Sequence, residues 1–190
     1  VDDVFGFALA LAWDGNTLAV GACQESSNAT GIGGNQLDDS FQFAGSAYVF
    51  VRDDMNVWSQ QAYIKASNVA AHDGFGYALT LSGDGNTLAV GAIGESSNAA
   101  GIGGNQLDDS VPSAGAVYMF VRDGMSMWTQ QAYVKASNPD SSDNFGSIMA
   151  LSADGTTLAV GAPYESANVT GIGGNQLDDS APLAGAVYLY

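Results

Sequence analysis

Ten residues, GIGGNQLDDS, stand at 31–40, 101–110 and 171–180 without a single change between copies. The copies are 70 residues apart, with no insertion or deletion. A fixed period of this length marks a chain built from one supersecondary unit that stacks on copies of itself. Other signals keep the same phase. Phe5-Gly6, Phe75-Gly76 and Phe145-Gly146 recur, each with an aspartate two positions before the Phe (Asp3, Asp73, Asp143), and LAVGA begins at 18, 88 and 158. The 190 residues divide into repeats 1–70, 71–140 and 141–190, the last reaching about five-sevenths of the period. Val1 opens the chain where a Met would open a primary product, which points to processing, excision or a longer parent chain.

Each repeat reads as short strands separated by turn signals. In the second repeat FGYALTLS (Phe75 to Ser82) alternates, GDGN (Gly83 to Asn86) is a hairpin turn and TLAVGA (Thr87 to Ala92) is the second strand. The long loop with the decapeptide follows. AGAVYMFVR (Ala114 to Arg122) is apolar on both faces; the turn DGMS then leads to WTQQAYVKAS (Trp128 to Ser137). In that last strand Trp128, Ala132 and Val134 share one face and Thr129, Gln131, Tyr133 and Lys135 the other. Such alternation suits an outermost strand, with Lys65 and Lys135 expected as protectors of an exposed edge. No helical period is present. The expected fold is all-β, a β-propeller-type array of four-stranded antiparallel blades, with the third blade lacking its outer strand.

Phe145-Gly146, followed by LSADGTTLAVGAP up to Pro163, resembles the FG-GAP repeat of integrin alpha-subunit propellers and their bacterial relatives. AGAVY (Ala184 to Tyr188) and the WxQQAYxKASN segment are similar to the longer bacterial version. The resemblance implies four-stranded propeller blades, an extracellular or cell-surface setting, and often a calcium ion in the loop between the first two strands. That loop has shrunk here to WDGN, GDGN and ADGT, with one carboxylate each, Asp14, Asp84 or Asp154. Calcium takes about six to eight oxygen ligands, so the integrin-type site is expected to be lost. The Trp13-Asp14 pair is no sign of a WD repeat, because it does not recur.

Four basic residues face 20 acidic ones, for a formal net charge of −16. This balance argues against nucleic acid and against anionic membrane surfaces, and it favours divalent cations. The recurrent oxygen donors lie in the long loop: Glu25, Asn35, Asp38 and Asp39, then Glu95, Asn105, Asp108 and Asp109, then Glu165, Asn175, Asp178 and Asp179. They make a candidate ligand set for structural Ca2+. The competing reading is a network of Asx turns in which Asn and Asp cap their own backbone. GIGG lacks the following helix of a dinucleotide fingerprint and the Lys of a phosphate loop. Asn28-Ala-Thr and Asn168-Val-Thr are glycosylation sequons, and the middle copy, Asn98-Ala-Ala, is not.

No catalytic constellation recurs with the repeat. His72 is the sole histidine, and Cys23 is a small packing residue, replaced by Ile93 and Pro163 in the other copies. Paired acids occur once per repeat, which fits structure better than a single active site. No stretch approaches the roughly 20 apolar residues of a membrane span. The expected function is that of a non-enzymatic extracellular structural repeat protein. It would be a subunit or segment of a self-assembling filament or surface fibre, joined by strand addition at the open edge of the third repeat. Three blades fall short of the usual 4–8 of a closed propeller. The alternative is an adhesion or ligand-binding fragment of a larger integrin-like propeller, with surface proteins or glycans as partners.

Overall fold

The computed structural model describes residues 2–190. The first repeat forms β1 (Ala8–Leu11), β2 (Thr17–Ala22), β3 (Ser46–Arg52) and β4 (Trp58–Ile64). The second forms β5 (Phe75–Leu81), β6 (Thr87–Ala92), β7 (Ala116–Arg122) and β8 (Trp128–Val134). The third forms β9 (Ile148–Leu151), β10 (Leu158–Ala162) and β11 (Ala186–Leu189). Each repeat is a separate antiparallel sheet in chain order: β1-β2-β3-β4, β5-β6-β7-β8 and β9-β10-β11. Among the described residues there is no helix.

The apolar residues on both faces of the inner strands form two cores, one on each side of the middle sheet. Ala19, Ala47, Val49 and Ile64 of the first sheet pack with Phe75, Leu88, Val90 and Tyr118 of the second. Ala89, Val117 and Val134 on the other face pack with Phe145, Leu158, Val160 and Tyr188 of the third. The inner strands make the contacts, β5 against β1 and β2, and β9 against β5 and β6. The hairpin turns line up as well, since Trp13 N–H donates to Gly83 O at 3.0 Å and Gly83 N–H to Ala153 O at 2.8 Å. A sheet buried on both faces reads as continuous apolar sequence, and β6 and β7 do so.

The outer strand departs from the simple alternation. The register slips between Met119 and Phe120, whose partners are Ala132 and Gln130, so Gln131 stands outside the ladder; Gln61 does the same in β4. A bulge bends the strand and re-aims side chains. Gln61 Oε1 thereby accepts from Arg122 Nη1 at 3.1 Å and from Trp128 Nε1 at 2.9 Å, both on the neighbouring sheet.

Lys65 and Lys135 correct the edge-protector expectation, because both are fully buried. The reason is the long loop, which sweeps across to the outer strand and covers its end. Ile32 bridges Ile64 and Ile102 bridges Val134. Lys135 N–H donates to Gly101 O at 2.9 Å and Gly103 N–H to Tyr133 O at 2.9 Å; Lys65 and Gly33 make the matching bonds in the first repeat. Gly101 and Gly103 have φ of 69° and 76°, which L side chains rarely adopt, so GIGG is the conformation that lets the loop run along the edge.

Candidate functional site

Beneath each GIGG segment lies a buried polar cluster. Lys135 Nζ donates to Glu95 Oε2 at 2.7 Å, and Lys65 Nζ to Glu25 Oε2 at 2.7 Å. These four groups are essentially shielded from solvent. The glutamates stand just after β2 and β6 and also take a local backbone N–H, from Ser27 at 3.0 Å and Ser97 at 3.2 Å. Burial draws the Lys135 ammonium below its usual range, and the Glu95 carboxylate pushes it back up.

An asparagine reaches across the junction between sheets to the Glu of the second and of the third sheet. Asn138, past the end of β8, donates to Glu165 Oε1 and to Gln176 O, both at 2.9 Å, and accepts from Tyr188 OH at 2.7 Å. Asn68 serves the second sheet in the same way, with Glu95 Oε1 at 3.3 Å, Gln106 O at 2.7 Å and Tyr118 OH at 2.6 Å. Glu95 is thus gripped by the Lys of its own sheet and the Asn of the preceding one. Lys-Ala-Ser-Asn at 65–68 and 135–138 shares the 70-residue period of the glutamates, and that is the signal by which these partners are legible.

The expected calcium ligands are distributed differently. Glu25 and Glu95 are committed to lysines and Glu165 to Asn138. Asn35, Asn105 and Asn175 lie at the surface, each accepting from the N–H two residues on, at 3.1, 3.1 and 3.2 Å. Asp38 Oδ1 takes Ser40 Oγ at 2.6 Å, Asn28 N–H at 3.0 Å and Ser40 N–H at 3.1 Å, and Asp108 repeats the pattern with Ser110 and Asn98. Asp178 accepts from Ser180 N–H at 3.3 Å. The serine hydroxyls first, then the backbone N–H groups, hold the Asp38 and Asp108 carboxyls below their usual range. Asp39, Asp109 and Asp179 are exposed, and so are the sequon residues Asn28 and Asn168. Among the described residues no three of His, Cys, Asp and Glu gather as a group that could hold a metal ion.

The short turn at which the resemblance implies calcium does not fit one either. Asp84 Oδ1 accepts from Ser82 Oγ at 2.6 Å and Asn86 N–H at 3.0 Å, and Asp14 and Asp154 bond within their own turns likewise. One self-bonded carboxylate per turn falls short of a calcium cage.

The family profile described as the FG-GAP repeat matches residues 58–120 and 128–190. The chain belongs to the FG-GAP repeat family. No curated protein matches the chain. FG-GAP repeats are structural and binding units typical of extracellular or surface proteins, and among the described residues no helix is long and apolar enough to cross a membrane. The matched FG-GAP unit begins on the outer strand of one sheet and ends on the third strand of the next. One unit therefore contains Asn68, Glu95 and Tyr118, and the next contains Asn138, Glu165 and Tyr188. The Glu95–Lys135 pair joins one unit to its successor.

Lys135→Met leaves the Glu95 carboxylate buried without its cation and is expected to cost about 3–5 kcal/mol at neutral pH. Adding Glu95→Gln should recover most of that loss in a urea-melt double-mutant cycle, and additive losses would contradict the pairing. Asp73 and Asp143 supply the pH dependence. Burial, ahead of the neighbouring carboxylates, pushes Asp73 from 3.8 up to about 7 and Asp143 up to about 6. The folded chain then holds these protons more tightly than the unfolded one. Their contribution is complete below about pH 4 and is lost as pH rises through about 7. The double variant Asp73→Asn, Asp143→Asn should match the parent near pH 4 and exceed it at pH 8 by an amount on the order of a few kcal/mol. A stability difference that stays constant across that range would contradict the assignment.

Proposed function

We propose that this FG-GAP chain is a non-enzymatic structural segment of an extracellular or surface fibre, assembled by adding an outer strand to β11. The observation that carries the reading is the state of the third sheet. β3 and β7 each have an outer strand beside them, and β11 is the edge of its sheet. Along that edge runs a groove of about 510 Å³, lined by Glu165, Gly171, Ile172, Gly174, Tyr188 and Leu189. In the first two sheets the equivalent space holds β4 or β8 and its lysine. Glu165 is buried, with Asn138 on one oxygen and Ala167 N–H on the other, and no Lys or Arg pairs with it among the described residues.

The groove therefore suits an extended strand with a lysine at the position of Lys135. Main-chain bonds to β11 would supply the affinity and the Glu165 contact the selectivity. A strand exchanged between copies would extend the array without limit. The charge of −16 opposes such contact at low salt, so assembly should strengthen as salt screens it.

A synthetic peptide with the sequence of residues 128–138 is expected to bind the chain and raise its melting temperature. A version with Met for the lysine should lose most of the effect. In parallel, negative-stain images of the chain at rising concentration should show elongating particles. If calcium promotes elongation beyond sodium at equal ionic strength, the ion acts through the acidic loops; equal effects assign it to screening. Absence of any peptide-induced shift, with monomers at every concentration, would overturn the reading.

A further inference from the structure

The cluster of Lys135, Glu95 and Asn68 holds more chemistry than an ion pair uses. One carboxylate bonds two nitrogens: Glu95 Oε2 accepts from Lys135 Nζ at 2.7 Å, and Oε1 accepts from Asn68 Nδ2 at 3.3 Å. The far side of the Asn68 amide is polarised, because Tyr118 OH donates to Oδ1 at 2.6 Å. Lys135 and Tyr118 are fully buried and Glu95 is 1% exposed. Burial draws the Lys135 ammonium below its usual range, which raises the share of free amine. A desolvated lysine is a nucleophile, a carboxylate bonded to it is a base, and a hydroxyl on a carbonyl oxygen stabilises an oxyanion. All three bear on one primary amide.

We propose that this cluster is a self-modification site, in which Lys135 Nζ displaces ammonia from Asn68 Cγ and leaves an amide bond between the first and second sheets. Every participating residue lies within the chain, so the proposal is independent of whether copies associate. The ion pair is the state from which the bond forms. Glu95 takes a proton from the ammonium. The free amine adds to Cγ, and the carbonyl electron pair moves to Oδ1, where Tyr118 OH stabilises it. Glu95 passes its proton to Nδ2. The Cγ–Nδ2 bond then breaks with its pair going to that nitrogen, which leaves as ammonia. Nζ gives its surplus proton to Glu95, which ends as a neutral carboxylic acid. Nothing is oxidised or reduced, and no co-reactant enters.

Nζ must cross the carboxylate it already bonds, a movement for the lysine's flexible stem. A cleft of about 300 Å³, lined by Thr30, Ser67, Asn68, Gln106 and Asp109, gives ammonia a way out. Two buried charges disappear in the reaction, and their desolvation cost goes with them. Holding amine and amide on one carboxylate replaces a bimolecular encounter by an intramolecular one. The neighbouring clusters are incomplete among the described residues. Glu25 has Lys65 and no asparagine, and Glu165 has Asn138 and no lysine. One bond per chain is therefore expected.

Intact mass spectrometry of the folded chain, followed through incubation at neutral pH, tests this. The mass is expected to fall by one ammonia from the sequence value. Peptide mapping should recover one linked species containing both Asn68 and Lys135, with Lys65 and Asn138 unmodified. A succinimide at an asparagine gives the same loss but joins no two segments, so the map separates the two. Glu95→Gln and Lys135→Arg should keep the full mass. Tyr118→Phe keeps the ring in its core and should form the link about a hundredfold more slowly. A chain that melts cooperatively and stays at the sequence mass overturns the proposal. So does a mass loss that maps to no link, or one that survives Lys135→Arg. The wild-type measurement decides by itself, so a variant that fails to fold leaves the test intact.

Discussion

The constraint on which the structure depends is the closeness of backbone to backbone where one sheet meets the next. Gly76 O and Gly146 O sit where a single methyl on Gly21 or Gly91 would overlap them. No side chain mediates this contact, so no compensating substitution elsewhere relaxes it. The approach lets the inner strands β5 and β9 lie directly on the preceding sheet, and it brings Phe75 and Phe145 under the aromatic rings of their own third strands. The cores on either side of the middle sheet follow from that spacing. This close approach fixes the local geometry of each junction, and the three copies keep one 70-residue period.

The buried polar cluster works at a second level. An ion pair shut away from water is weak ground for stability, because desolvation offsets most of the attraction. Its value here lies in position. Glu95 meets Lys135 only when the long loop crosses its own outer strand, and it meets Asn68 only when the preceding sheet is in register. GIGG supplies the crossing, and Asn and Asp in NQLDDS hold the rest of the loop by bonding to their own backbone. The decapeptide therefore stays constant for a conformational reason: its Asn and first Asp hold the loop's own backbone, Gln106 and Gln176 accept from Ser67 and Ser137 of the preceding sheet, and its glycines serve an edge.

Much of this was legible in the residues. The 70-residue period, the strand order and the FG-GAP resemblance rest on glycines, aromatics and turn dipeptides that act locally. The second strand of the middle repeat, Thr87 to Ala92, is read at its observed bounds. The first and fourth strands end earlier in the structure, and the third starts two residues later because Gly115 turns out of the sheet to meet Phe145. Burial of Lys65 and Lys135 was not legible from period-two alternation. That rule assumes an unbroken pleat with solvent outside it, and here a bulge interrupts the pleat while a loop from more than 30 residues away covers the edge. The candidate ligand set failed to converge for a related reason. Glu25 and Glu95 are near Asp38 and Asp108 in sequence but face inward, toward cations that alternation had placed on the outside.

Native-state hydrogen exchange at the sheet junctions tests the central claim most directly. The amides of Phe75 and Phe145 donate across those junctions. If backbone seating holds the stack together, both should exchange only by global unfolding, with the same protection as the amides of β6 and β7. Exchange at Phe75 and Phe145 far faster than in those strands would mean that the sheets part while each stays folded, and the account would fail.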